Sequence, residues 1–274
     1  MMLRLILVIL ALGVLVGLAP TQAAADPLVE IESRGQKVRA VLLKPANPNG
    51  AVILFAGADG RLDITPDGEI TKRRFNQLVR TRALYEQAGY VTLVPDIAPG
   101  FKVGASDVVD DYQASRSFSQ DIGAMVKYLR GITPRPIVAV GTSRGSLSVA
   151  NAVAKLKGDG NQRPDAAVLT SAFLRLGANV PDLSVYKIAN GNARALDVPT
   201  MVAWHVADTC PHTLPAAVPP FRAWYQGSGR KLAEKSFSGG LPPKSEPCEA
   251  FAPHGFYGLD PEVVAAITRW IGEL

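Results

Sequence analysis

Five short, continuously apolar runs recur along this chain, and they constrain its fold more than any other feature. They cover residues 51–56 (AVILFA), 90–95 (YVTLVP), 136–140 (PIVAV), 166–171 (AAVLTS) and 200–205 (TMVAWH). Runs of this length with no polar alternation suit strands buried on both faces, as in a parallel sheet covered by helices. The intervening stretches 75–88, 112–129, 146–156 and 216–226 carry helical periodicity, and 261–274 predicts a closing amphipathic helix. Residues 231–237 are a candidate last strand. Near the start, 28–33 and 37–43 alternate in polarity around Arg34-Gly35, which predicts a hairpin and an antiparallel edge. Strands alternating with helices define a mainly parallel α/β sheet with right-handed crossovers. In such open sheets, reactive groups collect in loops beyond the carboxyl ends of the strands. The 274 residues suit one such domain. The stretch 173–196 is polar and irregular, long enough for a small lid and too short for a second folding unit.

The first residues limit where the domain works. Arg4 precedes an unbroken apolar run from Leu5 to Leu18, then Pro20, then Ala23-Ala24-Ala25 ahead of Asp26. This is the pattern of a cleavable secretory leader over 1–25, with the folded domain at 26–274. The apolar run falls short of the ~20 residues of a membrane span. A secreted or periplasmic protein is expected, without stable membrane insertion and in a compartment where disulfides persist. The net charge of +5 is spread along the chain, with no Lys/Arg tract. No nucleic-acid partner is expected. Nothing in the sequence fixes an oligomeric state.

After PIVAV come Gly141-Thr142-Ser143-Arg144-Gly145 and a helix. G-x-S-x-G between a strand and a helix places the serine on a sharp turn, its Oγ lifted clear of the sheet. The flanking glycines are required because neighbours come too close for a Cβ. The helix start aims backbone N–H groups and a positive dipole end at the site. The plain alternative is a helix cap, with Ser143 satisfying backbone donors.

A serine hydroxyl needs a base, and the chain has three histidines. His254, in Ala252-Pro253-His254-Gly255-Phe256, fits the chain order serine, acid, histidine. His205 ends a strand and is better suited to orienting a loop; His212 is a candidate pocket residue. The acid should leave a late strand end between Ser143 and His254, and Asp208 does so. Asp182 lies in the irregular stretch, and Asp165 precedes its strand at the opposite edge of the sheet. The loop after AVILFA, Gly57-Ala58-Asp59-Gly60, offers the Ala58 N–H beside that of Arg144 as donors to a developing oxyanion.

The two cysteines, Cys210 and Cys248, sit beside the proposed acid and base. Contact between Asp208 and His254 would bring them together, so a Cys210–Cys248 disulfide is expected. A zinc site from His205, Asp208, Cys210 and His212 matches no familiar ligand spacing, and a disulfide competes for the thiolate. No metal is expected. Asp59 and Trp204 are further candidate pocket residues, although Trp204 and Trp224 equally suit the core. The Arg144 side chain suits either an anionic substrate group or a salt bridge to a nearby acid such as Asp59. The Pro-rich stretch 241–247 is expected at the mouth of the site.

GTSRG around Ser143, LFAGADG at the end of the third strand, Asp208 and HGF at His254 resemble the α/β-hydrolases over about residues 28–274. NQLVRTRALYEQAGY, DTCPHT and PCEAFAPHGF are similar to exported bacterial members of that superfamily. The resemblance implies an α/β-hydrolase fold with a minimal lid. It also implies a carboxylesterase-like serine hydrolase with triad Ser143, Asp208 and His254, no cofactor, and a small-molecule ester-type substrate. A peptidase or thioesterase would use the same parts. From another class, the alternative is a catalytically silent binding protein of the same fold. One departure is clear: the common His-Gly of the oxyanion loop is Ala56-Gly57 here, leaving Asp59 and Arg61 to structure that loop.

Overall fold

The computed structural model describes residues 26–99, 112–158, 160–177 and 183–274; the expected leader and Asp182 lie outside the described residues. Among the described residues, eight strands form one sheet in the order β1-β2-β4-β3-β5-β6-β7-β8. They are β1 (Leu28–Ser33), β2 (Gln36–Leu43), β3 (Gly50–Phe55), β4 (Tyr90–Pro95), β5 (Ile137–Thr142), β6 (Ala166–Thr170), β7 (Thr200–His205) and β8 (Ala233–Phe237). The hairpin β1–β2 is antiparallel, β2 joins β4 antiparallel, and every pairing from β4 to β8 is parallel. The predicted antiparallel edge is therefore present.

The apolar runs are explained by burial on both sides. In β3, Ala51, Ile53 and Phe55 pack into one core, while Val52 and Leu54 pack into the other. The first core is completed by α3 (Arg116–Arg130), α4 (Gly145–Lys155), α5 (Val185–Ile188) and α6 (Val218–Tyr225). The second is completed by α1 (Gln77–Arg80), α2 (Arg82–Gln87) and α7 (Asp260–Ile271). Alternation at period two makes the central strands contribute to both layers.

Two expectations need correction. The helix expected over 75–88 is two short helices, α1 and α2, meeting at Thr81. Thr81 turns back on the first, its Oγ1 donating to the Gln77 carbonyl at 2.7 Å. The second correction concerns 173–196. In its described part it is no lid: Phe173, Leu174, Val185, Ile188, Ala189 and Leu196 are buried in the first core. Its apolar residues are spaced irregularly, so the stretch looked polar although it packs. Trp224 ties it down, donating Nε1–H to the Gly191 carbonyl at 3.0 Å.

The tightest point of the fold lies between β3 and α4. A Cβ on Gly145 would stand 2.2 Å from the Phe55 carbonyl oxygen and 2.8 Å from that of Ala56. Phe55 is the last paired residue of β3, so its carbonyl cannot give way without disturbing the sheet. Gly145→Ala is expected to destabilise the protein by about 3 kcal/mol, with a fall in thermal midpoint of roughly 10 °C. Gly160, with nothing within 4 Å of its added Cβ, is the neutral control. Circular-dichroism melts of the two alanine variants check this, and equal midpoints would refute it.

Among the described residues, no helix is long and apolar enough to cross a membrane.

Candidate active site

Loops from the carboxyl ends of β3, β5 and β7 meet at one end of the sheet, together with the 245–255 segment. Ser143 sits at the β5–α4 turn with φ 54°, in the left-handed region that costs a non-glycine residue about 1 kcal/mol or more. Its neighbours hold it there. The Ser143 N–H donates to the Thr170 carbonyl at 2.9 Å, and the Ser143 carbonyl accepts from Ser146 N–H at 3.0 Å and Ser146 Oγ at 2.6 Å. Ser146 Oγ in turn accepts from Phe173 N–H at 3.1 Å. A Cβ on Gly141 would lie 2.2 Å from the Gly145 carbonyl oxygen, so the turn closes only with glycine at that position.

His254 and Asp208 come together. His254 Nδ1 lies 3.0 Å from Asp208 Oδ2, and both residues are buried. The second Asp208 oxygen accepts from Cys210 N–H at 2.9 Å. With Nδ1–H directed at the carboxylate, the imidazole leaves Nε2 unprotonated, the tautomer a base requires. The His254 carbonyl is fixed from behind by Ser171 Oγ, which donates at 2.7 Å. Cys210 and Cys248 form the expected disulfide, which joins the loop after β7 to the 245–255 segment.

Ser143 and His254 line one cavity of about 550 Å³. Its floor holds Gly57, Ala58 and Thr142, and its walls come from 71–77 and 245–255. Gly57 packs directly on the Ser143 turn: a Cβ there would stand 3.1 Å from the Ser143 Cβ. Ala58 follows with φ 53° and also lines the cavity, beside the turn that carries Arg144. Asp59 lies behind this wall. It accepts from Arg61 N–H at 3.1 Å and from Arg73 Nε at 2.9 Å, so it orders the loop and anchors a cavity residue. Asp59 pairs with Arg73, and Arg144 Nε reaches Gln113 Oε1 at 3.4 Å.

The other candidates fall outside the cavity lining. His212 stacks on Phe173, ring planes 2° apart and centroids at 5.6 Å. Trp204 packs against the first core. His205 orients a loop: its Nδ1 accepts from Ala207 N–H at 3.0 Å, so Nε2–H donates to the Gly239 carbonyl at 3.1 Å. Cys210 is used by the disulfide and has no thiolate to offer a metal. Ser245, from the Pro-rich stretch, does line the cavity.

Two residues at the site carried no signal in the sequence. Thr213 bridges Asp208 and His254, with its Oγ1 2.9 Å from Asp208 Oδ2 and 3.0 Å from His254 Nδ1. Arg80 joins the two cavity walls. It donates to the carbonyls of Phe75 (2.8 Å), Ala250 (3.0 Å) and Gly255 (2.6 Å) and holds Asp260 through Nε and Nη2, both at 2.7 Å. A guanidinium has five N–H donors, and all five are used. Close by, burial raises the titration of the Tyr85 phenol above its ordinary value, with the Asp260 carboxylate adding to the effect.

No protein-family model matches the sequence, and no curated protein is significantly similar to it. Solved structures do resemble the fold. An esterase of Pyrococcus furiosus superposes with TM-score 0.57 at 14% identity, over 91% of this chain and 92% of that one. An α/β serine hydrolase homologue from Coxiella burnetii gives 0.56 at 13%, over 91% and 99%. A thermophilic esterase of Thermogutta terrifontis, solved with butyrate bound, gives 0.55 at 15%, over 93% and 95%. The fold is that of the α/β-hydrolases.

Proposed function

We propose that the protein is an exported serine hydrolase acting on carboxylic esters, with Ser143 as nucleophile, His254 as base and Asp208 as the acid that orients it. The observation that carries this reading is the 3.0 Å contact of Asp208 with His254, in a site where His254 and the strained Ser143 line the same cavity. The esterases among the structural neighbours support ester chemistry. The leader-like sequence at 1–25 and the disulfide support export.

In the first step Ser143 Oγ attacks the ester carbonyl carbon as its proton passes to His254 Nε2. Charge develops on the carbonyl oxygen, opposite the backbone N–H groups of Ala58 and Arg144. Collapse breaks the ester bond, and the proton on Nε2 leaves with the alcohol. Water, deprotonated by the same nitrogen, then releases the acid and restores Ser143. Asp208 holds the imidazole in one tautomer and stabilises its charged form throughout. The same parts serve thioesters and activated amides.

The test is covalent labelling of the mature, oxidised protein by a fluorophosphonate, read by intact mass. One adduct is expected on the wild type and none on Ser143→Ala or His254→Ala. A folded, oxidised wild type that takes no label would overturn the reading and favour a ligand-binding protein of this fold.

A further inference from the structure

We infer that Thr213 is a positioning residue for His254, a third polar partner that shares the Nδ1 proton with Asp208. The inference rests on the hydrolase reading above for its kinetic consequence, but the contact itself is independent of it. Thr213 Oγ1 stands 2.9 Å from Asp208 Oδ2 and 3.0 Å from His254 Nδ1, and Nδ1 stands 3.0 Å from the same Asp208 oxygen. The three atoms form a closed triangle.

The hydrogens can be arranged in one consistent way. An ionised carboxylate only accepts, whereas a hydroxyl donates one proton and accepts through its lone pairs. Thr213 therefore donates to Asp208 Oδ2. Its lone pair faces Nδ1, which must then carry the proton and direct it between the carboxylate and the hydroxyl oxygen. Were Nδ1 bare, Asp208 would face a lone pair at 3.0 Å. Asp208 thus excludes the wrong tautomer, and Thr213, as a second contact on Nδ1, restrains rotation of the ring about its contact with Asp208.

The loop is built to bring this hydroxyl back. Cys210 N–H donates to Asp208 Oδ1, and Thr213 N–H donates to the Cys210 carbonyl at 3.1 Å, closing a turn from 208 to 213. The disulfide fixes the middle of that turn. Thr213 itself is 4% exposed and does not line the cavity, so it acts on substrate only through His254. Partners that orient a metal-bound imidazole are worth roughly 10-fold or more in activity, and an effect of that order is expected for His254.

Three variants test this. Thr213→Val keeps the shape and removes the hydroxyl, Thr213→Ala removes the bulk as well, and Thr213→Ser restores the hydroxyl. Each is checked for an intact fold by melting. The valine and alanine variants should label with fluorophosphonate roughly 10-fold more slowly or worse. On any ester the wild type cleaves, kcat should fall with KM little changed. The serine variant should recover to within about 3-fold. The low-field proton resonance of His254 Nδ1–H, assigned by its loss in His254→Ala, should move in Thr213→Val and return in Thr213→Ser. If serine and valine are equally impaired, Thr213 is a packing residue and the inference fails. It also fails if the valine variant matches the wild type in rate and spectrum. A wild type that never labels, with a resonance that still moves in Thr213→Val, would overturn the hydrolase reading and leave the Thr213–His254 contact standing.

Discussion

Replacing Asp208 with asparagine is expected to slow fluorophosphonate labelling of Ser143 by about 10⁴-fold while the protein stays folded, as for other serine–histidine–acid arrangements. The substitution keeps size and shape. The asparagine oxygen can still accept from Cys210 N–H, so the loop after β7 keeps its turn. The amide then faces His254 Nδ1 with its NH2, which stabilises the imidazole with Nδ1 bare and Nε2 protonated. Such a ring presents a donor to Ser143 and cannot take its proton. Thr213 cannot correct this, because its hydroxyl will donate to a bare Nδ1 as readily as it accepts from a protonated one. Stopped-flow labelling at neutral pH, with circular dichroism as the fold control, measures the loss. A decrease of less than 10-fold would remove Asp208 from the mechanism and return the acid's role to another carboxylate.

Loss of the disulfide is the largest stability effect expected. Cys210 and Cys248 are 38 residues apart. Closing a loop of that length stabilises the folded state by about 3–4 kcal/mol in the chain-entropy description. Urea unfolding of the Cys210→Ser/Cys248→Ser double variant, beside the oxidised wild type, should show a deficit of that size. An effect on chemistry should accompany it. Cys210 supplies the amide that holds Asp208 Oδ1, and Cys248 lines the cavity two residues before Ala250, whose carbonyl Arg80 grips. Labelling of the reduced wild type should therefore slow under conditions where the fold persists. A double variant as stable as the wild type would mean that the Arg80 and Thr213 contacts already fix these loops.

What could be read in the sequence follows from how local its signal is. β4 and β7 matched their apolar runs residue for residue, because burial on both faces leaves an unbroken run with sharp ends. Ser143 was legible because a strand, a crowded turn and a helix start together demand glycine at fixed offsets. Asp208, His254 and the cysteines were legible as a set, since the approach of one pair draws in the other. Arg80 was not, because its partners at 250, 255 and 260 lie about as far away in sequence as the fold allows, and a lone arginine on a short helix leaves no pattern. Thr213 was hidden for a different reason: a threonine looks the same whether it faces solvent or a carboxylate. The segment 173–196 misled because its buried residues sit in pieces too short to show a period, with Val185, Ile188 and Ala189 on little more than one helical turn. Trp204 and His212 were placed at the pocket on residue type alone, and residue type does not tell a cavity wall from a core.

Arg80 also sets the order in which the site can be completed. β3, β5 and β6 can pair and shape the turn at Ser143 using only the first 170 residues. The partners that Arg80 holds at Ala250, Gly255 and Asp260 come some 80 residues later or more, and His254 comes with them. Between the synthesis of residues 170 and 254 the chain can therefore carry a shaped Ser143 turn without His254. On the proposed reading, the late arrival of that one clamp would leave the site incomplete until nearly the whole chain has been made.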